Sequence, residues 1–157
     1  MRVSKAIVIG LGLSLSPINF AHAEDFQWLN YIGQDRALFL YGVPETDFVP
    51  LAFECSNGRQ ELHFSYWHEP ANARDGMDVP VMLHGGGQSI SLTTKGTRWE
   101  MDDLFVIEGN LPLDDTFIAI FTSTGVLSVE LSDAIEEYPL EGAREVLKPF
   151  VAACSGR

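Results

Sequence analysis

Cysteine and positive charge are both scarce in this chain. Its 157 residues include two cysteines, and ten Lys or Arg stand against 22 Asp or Glu. Cys55 and Cys154 form no Cys-x-x-Cys motif, which argues against a redox-active thiol pair. The shortage of basic residues disfavours binding to nucleic acid or to anionic membrane surfaces, because both are negatively charged. The acidic excess favours a basic protein, basic peptide or cation as partner, unless it serves solubility alone.

Motifs for common kinds of chemistry are also missing. Three histidines follow the N-terminal segment: His63, His68 and His84. They form neither a His-x-His nor a His-Glu-x-x-His pattern, so we predict no metal site. Asp102-Asp103 lacks the alternating oxygen ligands of a calcium loop. No Gly-x-Ser-x-Gly elbow and no phosphate-binding loop is present. We therefore predict no catalytic residue, no cofactor and no enzyme activity.

The N-terminus has the features of a secretion signal. A short basic start precedes the apolar residues 6–15, and Ala21-His22-Ala23 fits a signal peptidase site. The apolar run is shorter than the roughly 20 residues of a membrane span, and no later stretch is longer. We predict a signal peptide over residues 1–23, with a retained N-terminal anchor as the alternative. The mature chain would then be periplasmic or secreted and would have no membrane span.

Residues 24–157 are predicted to form a single β-rich domain. The mature chain keeps eight basic residues against 22 acidic ones, a formal net charge of −14. An oxidising compartment allows its two cysteines only one intramolecular pairing, Cys55 with Cys154. This disulfide would tie the C-terminus to the middle of the chain.

The periodicity of the apolar residues is mainly two, which is typical of strands with one buried face. We expect turns at Asn57-Gly58, at Gly85-Gly86-Gly87 and at Lys95-Gly96, and Pro80 indicates an edge or the start of a strand. The fold class is therefore mainly β, an antiparallel sandwich or flattened barrel. The alternating residues are Leu62, Phe64 and Tyr66; Val79, Val81 and Leu83; Phe105 and Ile107; and Leu127, Val129 and Leu131.

Two segments have helical features instead. Asp114-Asp115 can cap a short helix that ends near Gly125. The apolar residues from Ala143 to Cys154 fall on one helical face, and Pro149 should kink this helix or split it in two. Because Cys154 lies on that face, the disulfide would staple this short C-terminal helix to the sheet.

Aromatic residues provide the best candidates for partner binding. Tyr41, Trp67 and His68 are predicted to contribute to a binding surface, because aromatic anchors dominate the energy of interfaces. The alternative is that Trp67 packs beneath a loop or against the C-terminal helix.

The C-terminal third of the chain resembles that of known exported proteins. The stretches Leu127–Leu131 and Tyr138–Ala143, followed by Leu147 and Cys154, resemble the ending of β-sandwich proteins of the type VI secretion accessory and invasion-associated locus B families. In these families a last strand leads into a short helix that ends at a cysteine paired with an upstream one. The resemblance implies a periplasmic accessory or interaction protein without a catalytic site.

A second resemblance concerns Thr94-Lys95-Gly96, which is similar to part of a loop in periplasmic lysozyme inhibitors of the small β-barrel type. The companion Ser-Gly-x-x-Tyr motif of those inhibitors is missing. Our hypothesis is an exported, non-enzymatic accessory protein that binds an unidentified and preferably basic protein. A periplasmic lysozyme inhibitor is one alternative, and a hydrolase with a site assembled from non-adjacent residues is the other.

Overall fold

The computed structural model of the protein describes residues 26–101 and 103–156. The predicted signal peptide, residues 1–23, lies outside the described residues. Two helices occur in the described chain, α1 (Asp115–Thr122) and α2 (Ala143–Cys154). The strands are β1 (Gln27–Ile32), β2 (Arg36–Gly42), β3 (Leu51–Ser56), β4 (Glu61–Trp67), β5 (Asp78–Gly85), β6 (Gln88–Trp99), β7 (Leu104–Pro112), β8 (Val126–Glu130) and β9 (Ile135–Pro139).

All strands belong to one antiparallel sheet with the order β1-β2-β3-β4-β7-β6-β5-β8-β9. The sheet curls into a half-barrel, and side chains join its two edge strands. The indole Nε1 of Trp28 donates to the carbonyl of Pro139 at 2.7 Å. The rings of Tyr41 and Tyr138 meet at 5.2 Å between centroids. The predicted mainly-β class with an antiparallel, barrel-like arrangement is confirmed.

The core lies on the concave face of the sheet, where both helices pack. Phe117 and Phe121 of α1 contact Phe39 and Phe53 of the sheet, with ring centroids 5.1 to 6.5 Å apart. Phe150 of α2 contacts Phe39 at 5.7 Å. All of these rings are fully buried, and each stabilises the fold by about 1.5–3 kcal/mol relative to an exposed side chain. The helices therefore fill the half-barrel and leave its outer face uncovered.

Helix α1 begins as the sequence predicts. The carboxylate of Asp114 accepts a hydrogen bond from the Phe117 amide at 2.9 Å, which satisfies one of the free donors of the first turn. The helix ends at Thr122, shortly before the predicted Gly125. No helix among the described residues combines the length and the apolar character that a membrane span needs.

Helix α2 is one continuous helix, so the predicted split at Pro149 is not observed. Pro149 lacks the N–H that would bond to the carbonyl of Glu145, one turn earlier. Both residues are exposed, so water can satisfy that carbonyl. The buried side chains Leu147 and Phe150 hold the helix on either side of the proline.

The predicted disulfide between Cys55 and Cys154 is present, with a Cα–Cα distance of 5.8 Å. It joins the end of α2 to the end of β3, and both cysteines are buried. Next to it, the Gly58 amide donates to the carbonyl of Ala153 at 3.0 Å. The C-terminal helix is therefore tied to the sheet covalently and through its last turn.

Two of the three predicted turns are confirmed. Asn57-Gly58 lies in the β3–β4 hairpin, and Gly86 and Gly87 form the β5–β6 turn with φ of 56° and 75°. The turn predicted at Lys95-Gly96 is wrong, because β6 runs straight through these residues. A Cβ at Gly96 would lie 2.3 Å from the Phe105 ring on β7. Close packing across two strands, rather than a turn, requires this glycine.

Pro80 lies where β5 is locally open on one side. β8 pairs with β5 only at Met82–His84, so the first half of β5 has no neighbour on that side. A residue without an N–H is tolerated at such a position because no ladder hydrogen bond is lost. The predicted edge character of Pro80 is therefore local, since β5 as a whole is an internal strand.

Candidate functional site

The structure distributes the three predicted binding residues over both faces of the sheet. Tyr41 and His68 lie on the concave side, and Tyr41 is buried with only 8% of its surface exposed. Trp67 lies on the outer face and is half-buried. Adjacent strand residues point to opposite faces, so Trp67 and His68 cannot contribute to one flat surface.

His68 contacts two carboxylates near the mouth of the half-barrel. Its Nε2 lies 3.2 Å from Oδ1 of Asp133, and its Nδ1 lies 3.5 Å from Oε1 of Glu136. The imidazole also stacks on Tyr66, with centroids 6.3 Å apart. Both ring nitrogens of His68 therefore face carboxylates, one from the β8–β9 turn and one from β9.

Asp133 joins two loops through this contact. Its second oxygen accepts the amide N–H of Ala71 at 2.9 Å. This hydrogen bond, assisted by His68, lowers the pKa of the Asp133 carboxyl below its usual value and outweighs its partial desolvation. The loop after β4 is thereby fastened to the turn between β8 and β9.

Two buried tyrosines continue the network inward. The Tyr138 hydroxyl lies 3.1 Å from that of Tyr66 and 2.9 Å from Oε2 of Glu136. An ionised carboxylate only accepts, so Tyr138 donates to Glu136 and accepts from Tyr66. Burial, together with these neighbours, raises the pKa of both phenols well above the usual 10.0. In this network both phenols are neutral and hydrogen-bonded, and the chain ends at the ionised carboxylate of Glu136.

The other two described histidines have similar carboxylate partners. His63 Nε2 lies 3.2 Å from Glu108, and His84 Nε2 lies 3.0 Å from Glu130. The two histidines border open depressions of about 210 and 380 Å³ on the surface. Within residues 26–101 and 103–156, no three His, Cys, Asp or Glu side chains converge as a metal site.

Trp67 instead belongs to an aromatic pair on the outer face. The Phe48 ring stands edge-on to the Trp67 ring at 5.3 Å, and Phe26 supports Phe48 from another side at 5.5 Å. The Trp67 amide donates to the carbonyl of Pro50 at 2.9 Å, which fixes the loop that carries Phe48. Trp67 therefore packs beneath a loop, as in the alternative from the sequence, and the more exposed ring is Phe48, at 47%.

The aromatic pair lies at the acidic end of the half-barrel. The loops after β2, β4, β6 and β8 all lie at this end, because the strands are antiparallel neighbours. Arg74 is the single described basic residue of these loops. Their described acidic residues are Glu45, Asp47, Glu69, Asp75, Glu100, Asp103 and Asp133.

Arg98 of β6 offsets only part of this charge. Arg98 is paired with Glu69 at 2.5 Å and with Asp103 at 2.9 Å. These pairs raise the pKa of the Arg98 guanidinium above its already high value. The four loops, which we call the acidic loop end, therefore present a surplus of negative charge.

Below the aromatic pair, the outer face continues as an apolar surface. Leu29, Leu40 and Ala52 are directly paired across β1, β2 and β3, and Tyr31 and Leu38 form the next row. We call these five residues the outer strip. The four aliphatic residues are partly exposed and Tyr31 is 58% exposed.

The outer strip is not evident from alternation in the sequence, because β2 shows none. Residues 37–41 are apolar at every position, so neither face stands out. Apolar residues on both faces are typical of a strand that is covered on both sides. That run was the signal in the sequence that could have identified the surface.

Comparison with known proteins gives no relative from which a function can be transferred. No protein-family model matches the chain. No curated protein and no solved structure shows significant similarity to it. Its function must therefore be argued from its own surface.

Proposed function

We propose that this protein is an exported, non-enzymatic accessory protein that binds a partner protein through Phe48, Trp67 and the acidic loop end. The observation that carries the proposal is the Phe48 ring, which is 47% exposed yet held in place by Trp67 and Phe26. A few side chains carry most of the binding energy of a protein interface, and aromatic residues, Phe included, are enriched in interface cores.

The packing around Phe48 favours binding because the ring is ordered before a partner arrives. Ordering a flexible side chain at an interface costs about 0.5–1.5 kcal/mol. Phe48 has two aromatic neighbours, and its loop is fixed by the hydrogen bond between Trp67 and Pro50. Much of that cost is therefore met in the folded protein itself.

The acidic loop end selects the charge of the partner. Like charges facing each other across an interface oppose association, and opposite charges accelerate it. The loops around Phe48 are strongly acidic, and Arg98 is already paired with two carboxylates. A partner with a basic surface fits this end of the molecule best.

Export is supported by the disulfide and by the predicted leader. Buried structural disulfides are rare in reducing compartments, and this one joins positions 99 residues apart. The features of a secretion signal in residues 1–23 agree with it. The periplasm or the extracellular space is the compartment that we propose.

The experiment is chemical cross-linking and affinity capture from a periplasmic extract with wild type, Phe48→Ala and Trp67→Ala. Val126→Ala is the matched control, because Val126 is 43% exposed and lies at the start of β8, at the opposite end of the sheet from the four loops. We expect a specific partner to be recovered with wild type and the control and at least tenfold less with either aromatic variant. Equal recovery with all four proteins, each shown to be folded by its melting curve, would refute the proposal.

A basic lysozyme is one partner that the acidic loop end would suit. Purified protein added in excess to a lysozyme assay tests this narrower idea directly. Loss of lysozyme activity that Phe48→Ala relieves would identify an inhibitor. Full activity at excess protein would remove lysozyme from consideration and leave the wider proposal standing.

A further inference from the structure

We infer that the outer strip is the docking face for one amphipathic helix of the partner, with aliphatic residues on its apolar side and Lys or Arg at its edges. The inference rests on the proposed function and deepens it by naming the partner's secondary structure and chemistry. It concerns the outer face of β1, β2 and β3, one row below Trp67 and to one side of it.

The register of the strands makes the strip continuous. Leu40 of β2 lies between Leu29 of β1 and Ala52 of β3, and Leu38 lies beside Tyr31 one row further along. On the opposite face, β2 and β3 bury Phe39 and Phe53 and β1 buries Trp28, whereas Asn30 of β1 is exposed. The strip is therefore a second apolar face on β2 and β3, whose first face is buried, and it extends onto β1.

Nothing in the described chain covers this face. The helices pack on the concave side, where Phe150 of α2 contacts Phe39. Asn30, which faces the same side as the buried Trp28, donates to the carbonyl of Val146 in α2 at 2.7 Å. A strand such as β2, apolar on both faces, normally has both faces covered, so we assign the missing cover to the partner.

The width of the strip fits one helix rather than a second sheet. Three neighbouring strands span roughly 10 Å, which is about the diameter of an α-helix with its side chains. Further across the outer face the rows end in polar residues, Glu54 and His63 in one and Ser65 in the other. A facing sheet would take these polar groups, including the ion pairs of Glu54 with Arg36 and of His63 with Glu108, out of water at a cost, whereas a helix would leave them at its edge in water.

The charge around the outer strip favours a basic helix over a second copy of this chain as its occupant. Glu45 and Asp47 lie in the loop above the strip and Asp35 in the turn below it. Glu54 at its side is paired with Arg36 at 3.6 Å, and Arg59 lies in the depression beside Glu54, so the surplus of negative charge is at the upper end of the strip. Basic edges on the docking helix would complement this border. A second copy of this chain is disfavoured, because each mature copy has a formal net charge of −14 and the same acidic loop end.

The test uses a synthetic 14-residue Leu/Lys peptide that forms an amphipathic helix, titrated calorimetrically into the folded protein. The variant is Leu40→Ser in the centre of the strip, and Met82→Ser is the matched control on the outer face of β5, where Met82 is 36% exposed. We expect Leu40→Ser to weaken binding at least tenfold and Met82→Ser to change it less than twofold. A peptide of the same composition in scrambled order should bind at least tenfold more weakly than the helical one.

Three results would overturn the inference. Equal binding of the helical and scrambled peptides would show that the protein recognises only the charge of the peptide. Unchanged affinity for Leu40→Ser, and for Leu29→Ser as a second variant if the first is unfolded, would place binding elsewhere. A dimer of wild type in light scattering that Leu40→Ser abolishes would make a second copy the occupant.

Failure of this inference is distinguishable from failure of the proposed function. If Trp67→Ala abolishes capture of the natural partner and Leu40→Ser leaves it intact, the aromatic pair binds and the outer strip does not. If both variants lose capture but the helical peptide fails to bind, the surface is right and the helical partner is wrong. If neither variant loses capture, both proposals fall.

Discussion

Removal of the disulfide should destabilise the protein strongly and leave its fold and binding surface intact. The change is the double variant Cys55→Ala/Cys154→Ala, which opens a covalent loop between positions 99 residues apart. Helix α2 should stay docked, because Leu147 and Phe150 remain buried against the sheet. The helix would then be held by packing alone.

The expected magnitude follows from the length of the loop. In the chain-entropy description, a cross-link closing about 100 residues restricts the unfolded chain by about 4.7 kcal/mol at 25 °C. For a domain of about 130 residues, that loss corresponds to a fall in Tm of roughly 15–20 °C. Typical domains are stable by about 5–15 kcal/mol, so the variant should fold but with a small margin.

The assay is urea unfolding followed by circular dichroism on the oxidised wild type and the double variant. Wild type with its disulfide reduced is the control, since it lacks the cross-link without any mutation. Both should lose stability by similar amounts, and partner capture at low temperature should be unchanged. A loss below about 1 kcal/mol would refute the reasoning from chain entropy, and lost capture by a folded variant would place the disulfide in the binding site.

Three further predictions concern other parts of the structure. Gly96→Ala should destabilise the fold by about 1–3 kcal/mol, because its Cβ would lie 2.3 Å from the Phe105 ring, and urea unfolding measures this; unchanged stability would contradict the packing role. The pKa of Tyr66 is raised in the folded protein, so the contribution of Tyr66 to the free energy of unfolding is complete below pH 10 and is progressively lost above it. Tyr66→Phe should therefore flatten the decline of unfolding free energy above pH 10 by up to about 1.4 kcal/mol per pH unit, and an equal slope in both proteins would count against the buried phenol. The pKa of Asp133 is lowered in the folded protein. The contribution of Asp133 to the free energy of unfolding is therefore complete above 3.8, the pKa of the unfolded chain, and is lost as the pH falls through the folded pKa. Asp133→Asn should reduce stability at pH 6, where the carboxylate is ionised, and the difference from wild type should shrink in acid unfolding curves below pH 3.8.

Local patterns in the sequence were enough to predict most strands of the sheet. Leu62, Phe64 and Tyr66 alternate with polar residues, and that alternation exists because one face of β4 is buried and the other is wet. The cap at Asp114 could be predicted because a capping carboxylate acts over only three residues. The disulfide could be predicted because two cysteines allow a single intramolecular pairing.

The local patterns fail at residues whose role is set by distant parts of the chain: the turn at Lys95-Gly96 is wrong, and of the two outcomes predicted for Pro149, the split is not observed. Gly96 looks like a turn residue, yet it is small because Phe105 packs across it from β7. Pro149 looks like a helix breaker, yet α2 continues because its exposed position allows hydration and its neighbours are buried. No local pattern carries either contact.

The candidate surface divides in the same way. The acidic composition and the aromatic residues Tyr41 and Trp67 are evident from the sequence, as is the parity that puts His68 on the face of Tyr66. The tertiary structure decided that Tyr41 is buried, that Phe48 is the exposed ring beside Trp67, and that Leu29, Leu40 and Ala52 meet in one row. These three residues come from three separate strands, and only the pairing register, which depends on contacts between distant segments, brings them together.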